Sequence, residues 1–238
     1  MRAWEEPDEP SNWDKVRRKD FAGKVFMLTG AMLMVSAVVV VLPQVSDEIE
    51  EAFVYNAVLI GIIAGVFSTM SLLVLVCCYR ARHIFPLNLI LLIILTISYG
   101  LIAALVSSRY KTSVVLISFV TTVAIVILIG IIAKWGPVDI TGCGWFMCGL
   151  SVGLTIVLTV AMIVGIFYYI PLVQLIIACV VVLVYIIFLM FDMQMIIGGR
   201  REELDADEYI LGAVILFKDI IIIFLYMMEI IAAITNRN

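Results

Sequence analysis

Four ionisable residues interrupt the last two long hydrophobic stretches of the sequence. Asp192 lies in the first of them, and Lys218, Asp219 and Glu229 lie in the second. Ionisable side chains at membrane depth are costly, on the order of 3 kcal/mol each by insertion scales, and they usually mark function. The five preceding hydrophobic stretches contain no charged residue. We therefore expect the chemistry of this protein to lie in its last two hydrophobic segments.

The depths of Asp192 and Asp219 predict that the two carboxyl groups can meet. At 1.5 Å per residue, Asp192 lies roughly 9 Å from the end of its predicted helix, and Asp219 lies roughly 15 Å from the start of its own. A short loop joins these helices, which makes them antiparallel neighbours. The two side chains are therefore expected within about one turn of each other in depth.

Two carboxyl groups in one low-dielectric site form a proton-sensitive pair. Both cannot ionise cheaply, so they titrate as a unit. With a proton, the pair holds two helices together by a hydrogen bond. Without it, the pair repels and offers oxygen ligands suited to Ca²⁺. We predict Asp192 and Asp219 as a gate, a pH sensor and transient Ca²⁺ ligands. In the alternative, Asp192 caps loop-facing backbone and Asp219 pairs with a neighbour.

Lys218 leaves two possibilities open, because its side chain points about 100° around the helix from that of Asp219. It could neutralise the carboxylates in a salt-bridge cluster that resists cation entry, or face elsewhere and extend toward the membrane surface. In the first case it tunes the titration of the pair.

A run of acidic residues after the first hydrophobic stretch could concentrate cations at the outer surface, although it could also be a solvated loop. Its members are Asp47, Glu48, Glu50 and Glu51. The five cysteines show no metal-binding spacing. We expect no cofactor.

The elements that must position these residues are membrane-spanning helices. The chain of 238 residues is 64% hydrophobic and 14% charged, so lipid must be its solvent and partner. No ten-residue alternating pattern appears, which leaves helices as the structure that satisfies the backbone in lipid. We predict an all-α polytopic protein with seven transmembrane helices. They are placed at about 25–43, 54–78, 86–107, 113–133, 145–167, 171–197 and 209–234.

Lysine and arginine predict the orientation of the chain. They collect before the first span and in alternate loops, which favours a cytosolic N-terminus. We expect a cytosolic tail over residues 1–24 and a single transmembrane domain over residues 25–238. No basic face exists outside short clusters beside the spans, so nucleic acid is not expected as a partner.

Several motifs of the sequence resemble those of the Bax-inhibitor family, also called Lifeguard or transmembrane BAX inhibitor motif proteins. FDMQMIIGG is similar to the family's F/Y-D-T-Q-x-x-x-G, and DIIIIFL to D-I-I-x-I/L-F-L. DEYILGA and the pair CC followed by FPLN match in the same way, and VRRKDFAGKV matches with one extra residue. FDMQMIIGG lies at residues 191–199, DIIIIFL at 219–225 and DEYILGA at 207–213. The segment from CC to FPLN spans residues 77–88, and VRRKDFAGKV spans residues 16–25.

The resemblance implies a seven-helix fold with the seventh helix central. It also implies a Ca²⁺ leak from intracellular stores in the endoplasmic reticulum or Golgi, pH sensitivity through Asp192 and Asp219, and suppression of apoptosis. Two positions depart from the family pattern: Met193 replaces the usual threonine, and Lys218 stands where an uncharged residue is usual. The first five spans also lack a buried arginine that could pair with the aspartates.

Other functions for two intramembrane aspartates fit less well. An intramembrane aspartyl protease needs Gly-x-Gly-Asp at the second aspartate, and this chain has Leu-Phe-Lys-Asp at residues 216–219. A retinal protein would need a counter-ion in the third span, which contains no carboxylate. We therefore predict a protein that is not an enzyme. The main alternative to a channel is a non-conducting membrane scaffold that binds regulators of cell death or stress.

Overall fold

The computed structural model describes residues 12–167, 171–198 and 203–235, and this part of the chain contains helices but no β-strand. The long helices are α1 (Asn12–Val45), α3 (Ala57–Cys77), α5 (Leu87–Ser107), α6 (Thr112–Trp135), α7 (Gly144–Phe167), α8 (Pro171–Ile197) and α9 (Tyr209–Thr235). The short helices are α2 (Asp47–Tyr55) and α4 (Tyr79–His83), and a 3₁₀ turn (Thr141–Cys143) precedes α7. The prediction of an all-α membrane protein is confirmed.

Six of these helices are long and apolar enough to cross a bilayer. They are α3, α5, α6, α8, α9 and the Val16–Val45 part of α1. Helix α7 has 24 residues and contains no charged one, but it is not among the six spans found in the described part of the chain. A seventh crossing, made by α7, therefore stays a prediction.

Helix α9 is the most buried of the six candidate spans. The bundle buries 61% of its most apolar 18-residue stretch, against 22–39% for the other five. It packs against α1, α3, α5, α6 and α8. Its residues Leu216, Phe217 and Ile223 are almost fully buried, and the ring of Phe217 meets Tyr99 of α5 edge to face at 5.9 Å. Such burial makes α9 the helix on which the bundle is assembled.

In the described part of the chain α1 already includes Asn12, so helix continues over residues 12–24 of the predicted tail. Phe21 and Val25 lie four residues apart on one face of α1, and both are buried in the main core. Val25 also packs against Gly212 at the start of α9. Packing against α9 therefore extends α1 through half of the predicted tail, because an apolar face is available well before the span begins.

The predicted acidic loop is the short helix α2. Asp47, Glu48 and Glu50 occupy its first turn, where negative side chains interact favourably with the helix dipole. Local electrostatics therefore favours a helix in a segment that the sequence assigned to a loop.

Candidate functional site

Asp192 and Asp219 are neighbours between α8 and α9. Asp219 is fully buried, whereas Asp192 keeps part of its surface exposed. The two carboxyl groups lie within hydrogen-bonding range of each other. Helices α8 and α9 pack against each other, and this packing places the two side chains at one depth. That they act as a gate, a pH sensor or Ca²⁺ ligands stays a prediction.

Lys218 is the third charged member of this cluster. Its Nζ lies 3.1 Å from Oδ1 of Asp219, and 27% of its side chain is exposed. The ammonium group also lies 5.7 Å from the centre of the Tyr185 ring on α8. Of the two orientations that the sequence left open, the structure has the one in which Lys218 pairs with the carboxylates.

The charges of the cluster balance when the two carboxyl groups hold one proton between them. Lys218 then offsets the single remaining negative charge. Apart from the Lys218 ion pair and Asp192, no described residue donates a hydrogen bond to either buried oxygen of Asp219. An unsatisfied buried oxygen costs about 1–3 kcal/mol. A proton on Asp192, donated to Asp219, removes part of that cost.

A cavity of about 280 Å³ reaches this cluster from the side of α7. Asp192 and Lys218 line it, and Asp219 lies behind them, outside the lining. The remaining lining is mostly apolar and comes from three helices: Gly144, Met147, Cys148, Ser151 and Leu154 of α7, Tyr185, Phe188 and Phe191 of α8, and Ile215 of α9. A small ligand or ion in this cavity would meet Asp192 and Lys218 first.

The described residues contain no group of three or more His, Cys, Asp or Glu placed to hold a metal ion. Ca²⁺ takes about 6–8 oxygen ligands. Asp192 and Asp219 together supply four carboxylate oxygens at most, so water would have to complete a Ca²⁺ site there. This arrangement suits passing contact with a cation better than tight binding.

The acidic residues Asp47, Glu48, Glu50 and Glu51 lie far from this cluster. Thr29 of α1 lies beside Ala213 of α9, where its hydroxyl contacts the carbonyl oxygen at 3.4 Å. Beyond Thr29, α1 continues for more than four turns before α2 begins. Asp219, by contrast, lies less than two helical turns beyond Ala213 in α9. Helix geometry therefore separates the two acidic groups by about 20 Å. An outer role in cation attraction stays a prediction, but direct contact with the pair is excluded.

Two arginines, for which the sequence predicted no contacts, fasten the connection between α8 and α9. The first is Arg18 of α1, which donates hydrogen bonds to the carbonyl oxygens of Met195 and Leu204. Its guanidinium lies 5.1 Å from the centre of the Phe21 ring and 3.5 Å from the Glu203 carboxylate. Arg18 thus ties the start of α1 to both sides of the α8–α9 connection.

The second arginine is Arg82 of α4. Its guanidinium lies 2.7 Å from the Glu208 carboxylate, which precedes α9, and the side chains are only 9% and 12% exposed. Arg82 also donates to the carbonyl oxygens of Leu75 and Val76 at the end of α3, at 3.2 and 3.0 Å. The start of α9 is therefore tied to α3 and α4. Because both arginines lie in charged segments outside the predicted spans, the sequence pattern gave no sign of these partners.

Gln194 performs a similar task on α8, two residues after Asp192. It is fully buried. Its amide nitrogen donates to the carbonyl oxygen of Val138 at 2.8 Å, and its amide oxygen accepts from the backbone N–H of Ile140 at 3.1 Å. The sequence signal for this role is a polar amide inside an apolar helix.

Comparison with known proteins places the chain among membrane proteins associated with apoptosis. Residues 18–237 match the family described as Inhibitor of apoptosis-promoting Bax1. The chain is similar to Protein lifeguard 3 of Mus musculus, with 27% identity over 98% of this chain and 75% of that protein. It is 28% identical to Protein lifeguard 3 of Homo sapiens, over 96% of this chain and 73% of that protein. Protein lifeguard 4 of Mus musculus is 30% identical over 66% of this chain and 62% of its own length.

Proposed function

The chain belongs to the Bax inhibitor family of membrane proteins, and on that premise we propose that it is a pH-sensitive Ca²⁺ leak channel of an intracellular membrane that suppresses apoptosis. The observation that carries the proposal is the contact between Asp192 and Asp219 in the buried interface of α8 and α9. Two carboxyl groups in such a site respond to pH and offer oxygen ligands to a cation. We further propose that the N-terminus faces the cytosol and that the membrane is that of the endoplasmic reticulum or Golgi.

The gate works through the proton that the two carboxyl groups share. With the proton in place, a hydrogen bond joins α8 to α9, and the cluster with Lys218 is neutral. When the proton leaves, one uncompensated negative charge remains in a site of low dielectric, and the carboxylates repel each other. Separation of the two helices then connects the cavity beside α7 with Asp219. Ca²⁺ leak is therefore expected to increase as the pH rises.

The test is Ca²⁺ flux into liposomes that contain the purified protein, measured from about pH 5 to about pH 8, the range over which a buried carboxyl pair can exchange its proton. We expect the wild-type flux to rise with pH. Asp219→Asn should flatten this profile, because an amide cannot release a proton. Glu229→Gln is the matched control, since it removes a carboxylate from the same helix about 15 Å away. If Asp219→Asn keeps the wild-type pH profile, the proposed gate is wrong.

One observation favours a second candidate, a scaffold that binds membrane proteins regulating apoptosis without conducting ions. The ion pair between Lys218 and Asp219 is the arrangement expected of a structural salt bridge. Cells that carry Asp192→Asn and Asp219→Asn separate the two candidates. Altered store Ca²⁺ content supports the channel, whereas unchanged Ca²⁺ with altered sensitivity to apoptosis supports the scaffold.

A further inference from the structure

The position of Lys218 affects how Asp192 and Asp219, the acid pair, can accept a cation. Its ammonium group lies 3.1 Å from Oδ1 of Asp219, which is the contact that an entering cation would otherwise make with that oxygen. Lys218 also lines the same cavity as Asp192. An ion that enters from the cavity therefore encounters the ammonium group before it can reach Asp219.

We propose that Lys218 acts as a tethered cation, which occupies the cation position of the acid pair and weakens the binding of Ca²⁺ there. It is a specificity-determining residue rather than a member of the gate. The expected effect of Lys218 on ion flux rests on the proposed channel function. Its expected effect on the affinity of the pair for Ca²⁺ does not.

The charge of the cluster in a medium of low dielectric explains this role of Lys218. With both carboxyl groups ionised and Lys218 charged, the net charge is −1. A monovalent cation brings it to zero, but Ca²⁺ brings it to +1, and a net charge is costly where water is scarce. Without Lys218, the pair carries −2, and Ca²⁺ neutralises it. The wild-type site therefore binds Ca²⁺ only weakly, and removal of Lys218 strengthens that binding.

Among the described residues, the surroundings of Lys218 supply no other charge that changes this sum. The titratable groups that face it are the two aspartates, Tyr185 of α8 and Tyr99 of α5. Both tyrosines are neutral near pH 7. The Tyr185 ring, 5.7 Å from the ammonium group, provides a cation–π contact. That contact keeps the ammonium group beside the acid pair without adding a negative charge.

The experiment compares the full-length wild type with Lys218→Met, Lys218→Arg and the control Lys134→Met. Lys134 lies at the end of α6, where it contacts Trp135 and is exposed. The first measurement is the shift in thermal unfolding on adding Ca²⁺ in detergent at about pH 8, where the pair is most readily ionised. We expect Lys218→Met to bind Ca²⁺ at least about tenfold more tightly than wild type. Lys218→Arg and Lys134→Met should behave like wild type.

Two further variants and a flux measurement make the outcome decisive. Lys218→Met with Asp219→Asn should lose the added Ca²⁺ affinity, which assigns that affinity to the acid pair. Lys218→Gln keeps a polar side chain without charge, and it serves if Lys218→Met does not fold. In liposomes, the ratio of Ca²⁺ to K⁺ flux should rise when Lys218 is neutralised.

Unchanged Ca²⁺ affinity in both neutral variants would overturn the proposal, as would a gain that persists after Asp219→Asn. Failure of the channel function looks different from either result. In that case neither wild type nor any variant carries ions, although Lys218→Met still gains Ca²⁺ affinity.

Discussion

The ion pair between Arg82 and Glu208 gives the sharpest prediction about how this fold is held together. The two side chains meet at 2.7 Å and are 9% and 12% exposed. Replacing Arg82 by methionine removes the charge but keeps an apolar stem of similar length. It leaves a largely buried Glu208 carboxylate, and the carbonyl oxygens of Leu75 and Val76 lose a donor.

The magnitude follows from the burial and the hydrogen bonds of Arg82. Removing one partner of a fully buried pair costs about 3–5 kcal/mol. Both side chains here retain slight exposure, so we expect Arg82→Met to lower the free energy of unfolding by about 2–4 kcal/mol. Glu208→Gln keeps an acceptor for the guanidinium, and it should cost about 1–2 kcal/mol. In the double variant, we expect an interaction energy of about 1.5–3 kcal/mol.

The assay is equilibrium unfolding of the purified protein in detergent, with the single and double variants compared in one cycle. Arg80→Met is the matched control, because Arg80 is an exposed arginine of the same short helix, and it should change stability by less than about 0.5 kcal/mol. Added salt should alter the interaction energy little, since ions in solution screen buried charges much less than exposed ones. An interaction energy below about 0.5 kcal/mol, the size typical of exposed pairs, would refute this account of the α9 start.

Two further predictions concern the loops around the acid pair. Gly198 has a positive φ of 78°, and a Cβ there would meet the Arg18 guanidinium. Gly198→Ala should therefore lower the free energy of unfolding by about 1–3 kcal/mol. An unchanged stability would mean that the Arg18 side chain moves aside at no cost. Gln194→Leu leaves the carbonyl oxygen of Val138 and the N–H of Ile140 without their partner. It should cost about 2–4 kcal/mol and speed hydrogen exchange at Ile140, and unchanged exchange there would contradict the proposed tether.

The architecture of the protein was predictable from the sequence because lipid imposes a simple rule. In lipid, each long apolar stretch must form a helix that satisfies its own backbone. The long helices after α1 therefore begin and end within about three residues of the predicted bounds. The first helix is the exception, since Phe21 and Val25 extend it by packing on α9. That contact joins segments nearly two hundred residues apart in sequence, so no local pattern reveals it.

The charges inside the last two helices were also visible in the sequence, because an ionisable residue stands out in an apolar stretch. Depth along two antiparallel helices was enough to suggest that Asp192 and Asp219 can meet. The direction of Lys218 was not determined in this way. Helical geometry places its Cβ about 100° from that of Asp219, but a long flexible side chain can turn either way from that point.

Only the tertiary structure decided which partners the charged residues have. Packing of α8 against α9 brought Tyr185 and Asp192 to the ion pair of Lys218 and Asp219, and the loops brought Arg82 to Glu208. It also put the acidic helix α2 about 20 Å from the acid pair. Such pairings depend on distances between segments that are remote in sequence and on the rotamers of long side chains. Hydropathy and helical period carry information about neither, whereas they carry nearly all that is needed to place a helix in a membrane.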